Sequence, residues 1–400
     1  MAILNFCVLL VVICFASGSS SLKTEQVQLT SLKFAADIYS QLLEKNTQGN
    51  VLFSPLSISL ALTMLNEGAR ANSTSQLRSA LGLGLDDEKI RRAFKSVVDK
   101  IEVRKGSVSL DIAAKLYFSN SSGFAIQDSF KRTLTNDYDS DVESLNFNSS
   151  EDARSHINHW IEQRTHGKIK DLLPNGSINS NTKIVLANAV HFKGSWEQPF
   201  DKSHTEKQDF HISPNKIIQV DMMRLFDGLF LTMENEDVYA VDIPYQGEEF
   251  WMTVIVPKKR YGLKDIEKTL NETILHEYLW GGRSRERLRL KVPKFQIVSS
   301  FGLRKILEEM GIKDVFNPHA ANLSGISDKQ LFVDEGYHKA FIRVDEDGSE
   351  AAAATGGVLH LYSLPAEMAV DQPFFLAIKH IGVMDPIFFG RVGDPTEAET

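Results

Sequence analysis

The sequence predicts an α+β protein with largely antiparallel sheets, and three observations carry that prediction. Helix-period segments concentrate in the first half of the chain and strand-like runs in the second, mixed without strict alternation. One run, Thr182 to Phe192, is apolar almost throughout, as a central strand buried on both faces would be. The 400 residues are 42% hydrophobic and 24% charged, with no repeat, no low-complexity block and no Pro/Ser linker. That composition suits one large globular domain with a sizeable core.

The elements follow in order. Leu29 to Tyr39 spaces its apolar residues as a helix does. Asn50 to Leu65 reads as a helix with Pro55 in its first turn and Gly68 at its end. Its apolar residues surround it, which predicts a central position. Asp86 to Lys100 is an amphipathic helix with a basic face of Lys89, Arg91, Arg92, Lys95 and Lys100. Asp111 to Phe118 reads as a strand, and Ala153 to His166 as a helix with Ile157, Trp160 and Ile161 turned inward. Strands are expected at Phe250 to Pro257, Leu288 to Pro293, Lys339 to Val344 and Ile387 to Val392, and Pro373 to Ile378 is another apolar run. Phe301 to Met310 reads as a helix closed by Gly311.

The first eighteen residues, Met1 to Gly18, are apolar and uncharged and give way to Ser19-Ser20-Ser21. Small residues at Ala16 and Gly18 suit a signal-peptidase cut, so residues 1–18 read as a signal peptide and the mature chain is expected to start near Ser19. The run is short for a membrane span and no stop-transfer segment follows it, so no membrane association is expected. Both cysteines, Cys7 and Cys14, fall inside it, which excludes a disulfide scaffold for a secreted, extracellular product. Six Asn-x-Ser/Thr sequons, at Asn72, Asn120, Asn148, Asn175, Asn271 and Asn322, fit a secreted glycoprotein. The net charge of -8 argues against a general nucleic-acid binder.

Enzyme chemistry is missing. There is no Gly-rich phosphate loop ahead of a helix and no Gly-x-Ser-x-Gly nucleophile elbow. His156 and His159 are three apart on a predicted helix, but no third ligand stands in register, so they read as surface or packing histidines. No metal, cofactor or catalytic residue is expected.

One stretch stands out against this background. Glu346 to Gly357 contains four consecutive alanines and paired glycines, and runs on through Leu359 and Leu361 to Tyr362 and Ser363, between the strand Lys339 to Val344 and the apolar run Pro373 to Ile378. Small apolar side chains can sit in solvent or slide into a sheet at little desolvation cost. By itself the stretch reads either as a flexible linker or as a loop that changes state.

Four motifs in order then converge. Phe53-Ser54-Pro55-Leu56-Ser57-Ile58, Asn188-Ala189-Val190-His191-Phe192-Lys193-Gly194-Ser195-Trp196, Glu346 to Thr355, and Asp371-Gln372-Pro373-Phe374-Phe375 with Phe389-Gly390-Arg391-Val392 together resemble the serpins, from about residue 29 to 395. The resemblance implies three β-sheets, about nine helices and an exposed reactive-centre loop at about 346–368. It implies an inhibitor that is cut as a substrate and then inserts the cut loop as an extra strand, dragging the acylated protease with it. Glu346, Gly348, Ser349, Ala351, Ala352, Ala353, Ala354 and Thr355 match the hinge of that loop. Ser54, Ser57, Asn188 and His338 match the shutter, where the sheet parts, and Trp196, Lys294 and Glu346 match the breach, where insertion begins. Lys294 and Glu346 are expected to pair.

The residues are compatible with insertion. An inserted strand alternates its faces. The face of Ser349 carries Ala351, Ala353, Thr355, Gly357, Leu359 and Leu361, all small or apolar, and Glu350 falls on the other. Roughly ten ladder hydrogen bonds at about 1 kcal/mol each, with added burial, make the inserted form the deeper minimum, so the native form is held kinetically.

Seventeen positions counted from Glu346, as the resemblance implies, place the reactive bond between Tyr362 and Ser363. A large aromatic suits the deep hydrophobic slot of chymotrypsin-like serine proteases, the cathepsin G and chymase type. A register slip would bring in Leu361 or Leu364. Two basic regions, Lys89 to Lys105 and Arg283 to Lys291, raise a heparin-like glycosaminoglycan as a second partner, against an ordinary solvated face. The expected product is a monomer. The contrasting readings are a non-inhibitory carrier or storage serpin and a cross-class inhibitor of cysteine proteases.

Overall fold

The computed structural model describes residues 21–45, 49–84, 86–101, 108–120, 123, 125–349 and 365–398. In chain order the elements are α1 (Ser21–Lys45), β1 (Val51–Phe53), α2 (Pro55–Gly68), α3 (Ala71–Leu81), α4 (Asp87–Ile101), β2 (Val108–Ser119), α5 (Asp128–Tyr138), β3 (Val142–Leu145), α6 (Ser150–Arg164), β4 (Ile184–Ser195), β5 (Glu206–Ser213), β6 (Lys216–Glu234), β7 (Val238–Pro244) and β8 (Phe250–Pro257). They continue with α7 (Leu263–Glu267), α8 (Glu272–Trp280), β9 (Ser284–Pro293), β10 (Phe295–Gly302), α9 (Arg304–Glu309), β11 (Glu335–Val344), β12 (Gly348–Ser349), β13 (Ala366–Ala369), β14 (Phe374–His380) and β15 (Val383–Val392). The described residues thus contain nine α-helices, as expected.

Two hydrogen-bonded sheets result. One runs β10-β11-β4-β2-β3, with β12 added against β4. The other runs β1-β15-β14-β8-β7-β6-β9-β13, with β5 on β6. A register break between Leu225 and Gly228 divides β6 into two halves. Its first half pairs with β5 and β9 and its second with β7 and β9, so one continuous ladder serves what the family description counts as two sheets.

The apolar run of β4 is explained by what covers it. Val190 and Phe192 pack into the core between the two sheets, while Val185, Ala187 and Ala189 face Ile157 and Ile161 of α6 on the other side. α2 is buried around nearly its whole circumference, as its sequence predicted. Its start is a correction: Val51–Phe53 is not helical but pairs with Arg391, Gly390 and Phe389 of β15. Three consecutive apolar residues carry no period to tell strand from helix. The helix begins at Pro55, where the absent N–H costs nothing, and Ser54 caps it by accepting from Ser57 N. The expected helix at Phe301 to Met310 is also shorter. Phe301 and Gly302 finish β10 against His338 and Tyr337, and α9 covers only Arg304–Glu309.

Candidate functional site

The parallel pair β4–β11 is the seam of the smaller sheet. It is closed from Glu335 opposite Val185 to Phe341 opposite His191. Below that end, His338 and Asn188 sit opposite each other in the ladder, both fully buried. Ser54 N donates to His338 Nε2 at 3.2 Å, so the ring proton lies on Nδ1, which meets Asn188 Oδ1 at 2.6 Å. Asn188 Oδ1 also accepts from Ser57 Oγ at 2.9 Å, and Asn188 Nδ2 donates to Ser57 O at 3.1 Å. Ser54, Ser57, Asn188 and His338 therefore form one network joining α2 to both strands of the seam. Burial pushes the His338 imidazole down to about 3, so it is neutral at physiological pH.

Beyond Phe341 the two strands diverge, and the chain turns back between their ends. Asp345 and Gly348 exchange hydrogen bonds at 2.9 and 3.2 Å, closing a two-residue turn over Glu346-Asp347. Gly348 and Ser349 then pair antiparallel with Ser195 and Gly194 of β4. Gly348 adopts φ +141, and a Cβ there would lie 2.1 Å from Gly194 O, so this position requires glycine. Ser349 is fully buried, and its Oγ is 2.9 Å from Tyr245 Oη.

Trp196 anchors the same corner. It is fully buried, stacks on Tyr245 with ring centroids 4.5 Å apart, and donates from Nε1 to Asp345 O at 2.9 Å. Lys294 Nζ lies 2.8 Å from Glu346 Oε2 and 3.1 Å from Oε1, and Thr205 Oγ1 donates to Glu346 Oε1 at 2.7 Å. Burial raises the Glu346 carboxyl, but the hydrogen bonds from Lys294 and Thr205 outweigh it and hold it below the usual carboxylate range. The expected Lys294–Glu346 pair is present.

Ala351, Ala352, Ala353, Ala354, Thr355, Tyr362 and Ser363 lie outside the described residues. Among the sequons, Asn72, Asn120, Asn148, Asn175 and Asn271 are exposed and Asn322 is half-buried.

A model of the family "Serpin (serine protease inhibitor)" matches residues 30–395. The chain is a serpin. It is 34% identical to the human leukocyte elastase inhibitor over 385 residues, covering 93% of this chain and 100% of that one. It is 36% identical to Iris of Ixodes ricinus over 371 residues, 90% of this chain and 97% of that one. Among solved structures, Serpin48 of the insect Tenebrio molitor superposes with a TM-score of 0.83 at 29% identity, covering 92% of this chain and 98% of that one. The family model and the elastase-inhibitor relative describe protease inhibitors, and this serpin is not an enzyme.

Two features of this serpin escaped the sequence. Tyr245 follows Pro244 at the end of β7 and reaches Trp196 and Ser349 through pairings nearly 50 and over 100 residues away, which no local pattern reveals. By sequence Arg283 belongs to the basic run that continues to Lys291. It is instead largely buried, with Nε 2.9 Å from Asp242 Oδ2, where Lys379 Nζ also binds at 2.8 Å. A guanidinium so committed adds nothing to a solvent-facing basic surface.

Proposed function

We propose that this serpin is a secreted inhibitor of chymotrypsin-like serine proteases that traps its target by loop cleavage and insertion. The observation that carries the reading is the position of Gly348–Ser349. These residues run antiparallel to β4, at the point where it leaves β11. A strand lengthened from here would be antiparallel to both neighbours, the pairing with the better hydrogen-bond geometry.

Continuing the register, each step forward in the loop is a step back in β4. Ala351 then falls opposite Phe192, Ala353 opposite Val190 and Thr355 opposite Asn188, all buried positions of β4. Glu350 falls opposite Lys193, the exposed residue of that strand. The small residues thus meet the core and the one charge meets a partner at the surface. Thr355 would reach the Ser54–Asn188–His338 network, which must re-pair as the seam opens. A carrier or storage serpin has no need of that match.

Tyr362 as the residue before the cleaved bond supports a chymotrypsin-type target. The apolar leader at residues 1–18 and the exposed sequons support secretion. A heparin-like polyanion gains little from α4, because Lys89, Arg91 and Arg92 are already paired with Asp86, Glu67 and Glu88. Incubation with chymotrypsin, trypsin, elastase and a papain-type cysteine protease tests the reading. It expects an SDS-stable complex with chymotrypsin, and cleavage without complex would overturn it.

A further inference from the structure

The solvent face of β9 carries a row of cations beside exposed apolar side chains. Side chains alternate along a strand. Leu288, Leu290 and Val292 are buried in the core, which leaves Arg285, Arg287, Arg289 and Lys291 on the opposite face. At about 3.4 Å per residue this row is roughly 20 Å long. Its neutralisation is partial. Asp227 pairs with Arg287, and Glu367 serves both Arg289 and Lys291, while Arg285 has no carboxylate within salt-bridge range among the described residues. Across the ladder, Leu229 lies opposite Arg287 and Leu231 opposite Arg285. Leu229 is 55% exposed and the nearby Phe226 48%. A groove of about 170 Å³ opens beside them, lined by Leu229, Leu231 and Trp251, with Arg285 and the carboxylates Glu197 and Glu248 at its polar rim. Exposed apolar side chains bordered by charge in this way suit a contact surface.

The place of this face says what would cover it. β13 runs parallel to β9, with Ala366 opposite Leu288, and Arg289 Nε donates to Pro365 O at 3.1 Å. Pro365 follows Tyr362 by three residues, so covalent geometry alone keeps the reactive bond within about 11 Å of it. A protease domain, tens of ångströms across, cannot close on that bond without standing beside this end of β9.

We propose that the face of Arg285, Arg287, Leu229 and Phe226 is a second docking surface for the target protease, one whose rim beside the active-site cleft is acidic and partly apolar. The inference rests on the inhibitory reading above. Its effect is on encounter: opposite charge steers association and raises the on-rate. The chain as a whole carries -8, which would repel an acidic enzyme. Local and overall charge therefore predict opposite outcomes.

The test compares association rates of the wild type and an Arg285→Glu/Arg287→Glu variant with two probes, chymotrypsin and succinylated chymotrypsin, whose lysines carry carboxylates. At low salt the wild type should react about tenfold faster with the succinylated enzyme. That advantage should vanish in the variant and at high salt, where screening shortens the reach of exposed charges. Both forms should yield SDS-stable complex at the same stoichiometry. Equal or slower reaction of the wild type with the succinylated enzyme would overturn the proposal. So would unchanged rates in a variant that has lost retention on heparin, which would assign the row to a polyanion. Absence of any SDS-stable complex with the wild type would instead remove the inhibitory reading on which the proposal stands.

Discussion

The hydroxyl of Ser349 lies 2.9 Å from that of Tyr245, and both side chains are fully buried. This contact holds the start of the reactive-loop segment inside the sheet, under an aromatic that itself stacks on Trp196. On the proposed reading, the pairing of Gly348–Ser349 with β4 is where strand addition would begin.

Gly348→Ala tests that position. The residue's φ of +141 and the 2.1 Å approach of a Cβ to Gly194 O leave no room for a side chain. Backbone strain of this kind costs about 1–3 kcal/mol. The variant should release Gly348–Ser349 from β4 and unstack the Trp196–Tyr245 corner. Tryptophan fluorescence should change, and hydrogen exchange at Trp196, whose N–H donates to Asp347 O, should rise. Wild-type exchange at Trp196 would contradict the arrangement.

Ser349→Arg should convert the inhibitor into a substrate. An arginine at this fully buried position must either leave the sheet or bury an unpaired charge. A penalty of only about 1.4 kcal/mol on insertion slows it tenfold against hydrolysis of the acyl-enzyme. The stoichiometry of inhibition should rise severalfold or more while the loop is still cut. Unchanged complex yield would refute the insertion step.

Acid should weaken the seam through His338. Its native pKa of about 3 lies below the ordinary imidazole value near 6.5, so the unfolded chain binds a proton that the folded one refuses. The stabilising preference for the neutral form is therefore complete above about 6.5. It is lost as pH falls from there toward 3, at about 1.4 kcal/mol per unit for this one group. Urea midpoints between pH 7.5 and 5 should fall more steeply for the wild type than for His338→Gln. Equal slopes would show that the native ring titrates as the unfolded one does, which would contradict its burial as a neutral group.

Much of this was legible in the sequence because the motifs are contiguous. Ser54-Pro55-Leu56-Ser57 and Asn188 to Trp196 are local strings, and the spacing of each already fixes what it presents. The network that joins them through His338 follows once β4 and β11 are neighbours. What stayed hidden depends on non-local register. The antiparallel return of Gly348–Ser349 requires the turn over Glu346-Asp347; Asp345 and Gly348 announce a turn there, but not the strand it returns along. Tyr245, just past β7, and Thr205, just ahead of β5, reach the same corner from distant parts of the chain. Arg283 looked like one more basic residue in a run of five, and only its burial against Asp242 removes it from the surface.

Tyr362→Arg should move target preference. An arginine before the cleaved bond has no favourable place in a hydrophobic slot and fits a pocket with a buried acid. Association with chymotrypsin should fall by at least tenfold and association with trypsin should rise. Undiminished inhibition of chymotrypsin would place the cleaved bond elsewhere, at Leu361 or Leu364.

The most direct measurement is mass spectrometry and denaturing electrophoresis of the wild-type protein after reaction with chymotrypsin. The account predicts an SDS-stable complex of one protease with one inhibitor, and a released C-terminal peptide beginning at Ser363. Complete cleavage at that bond with free, active protease and no complex would contradict it.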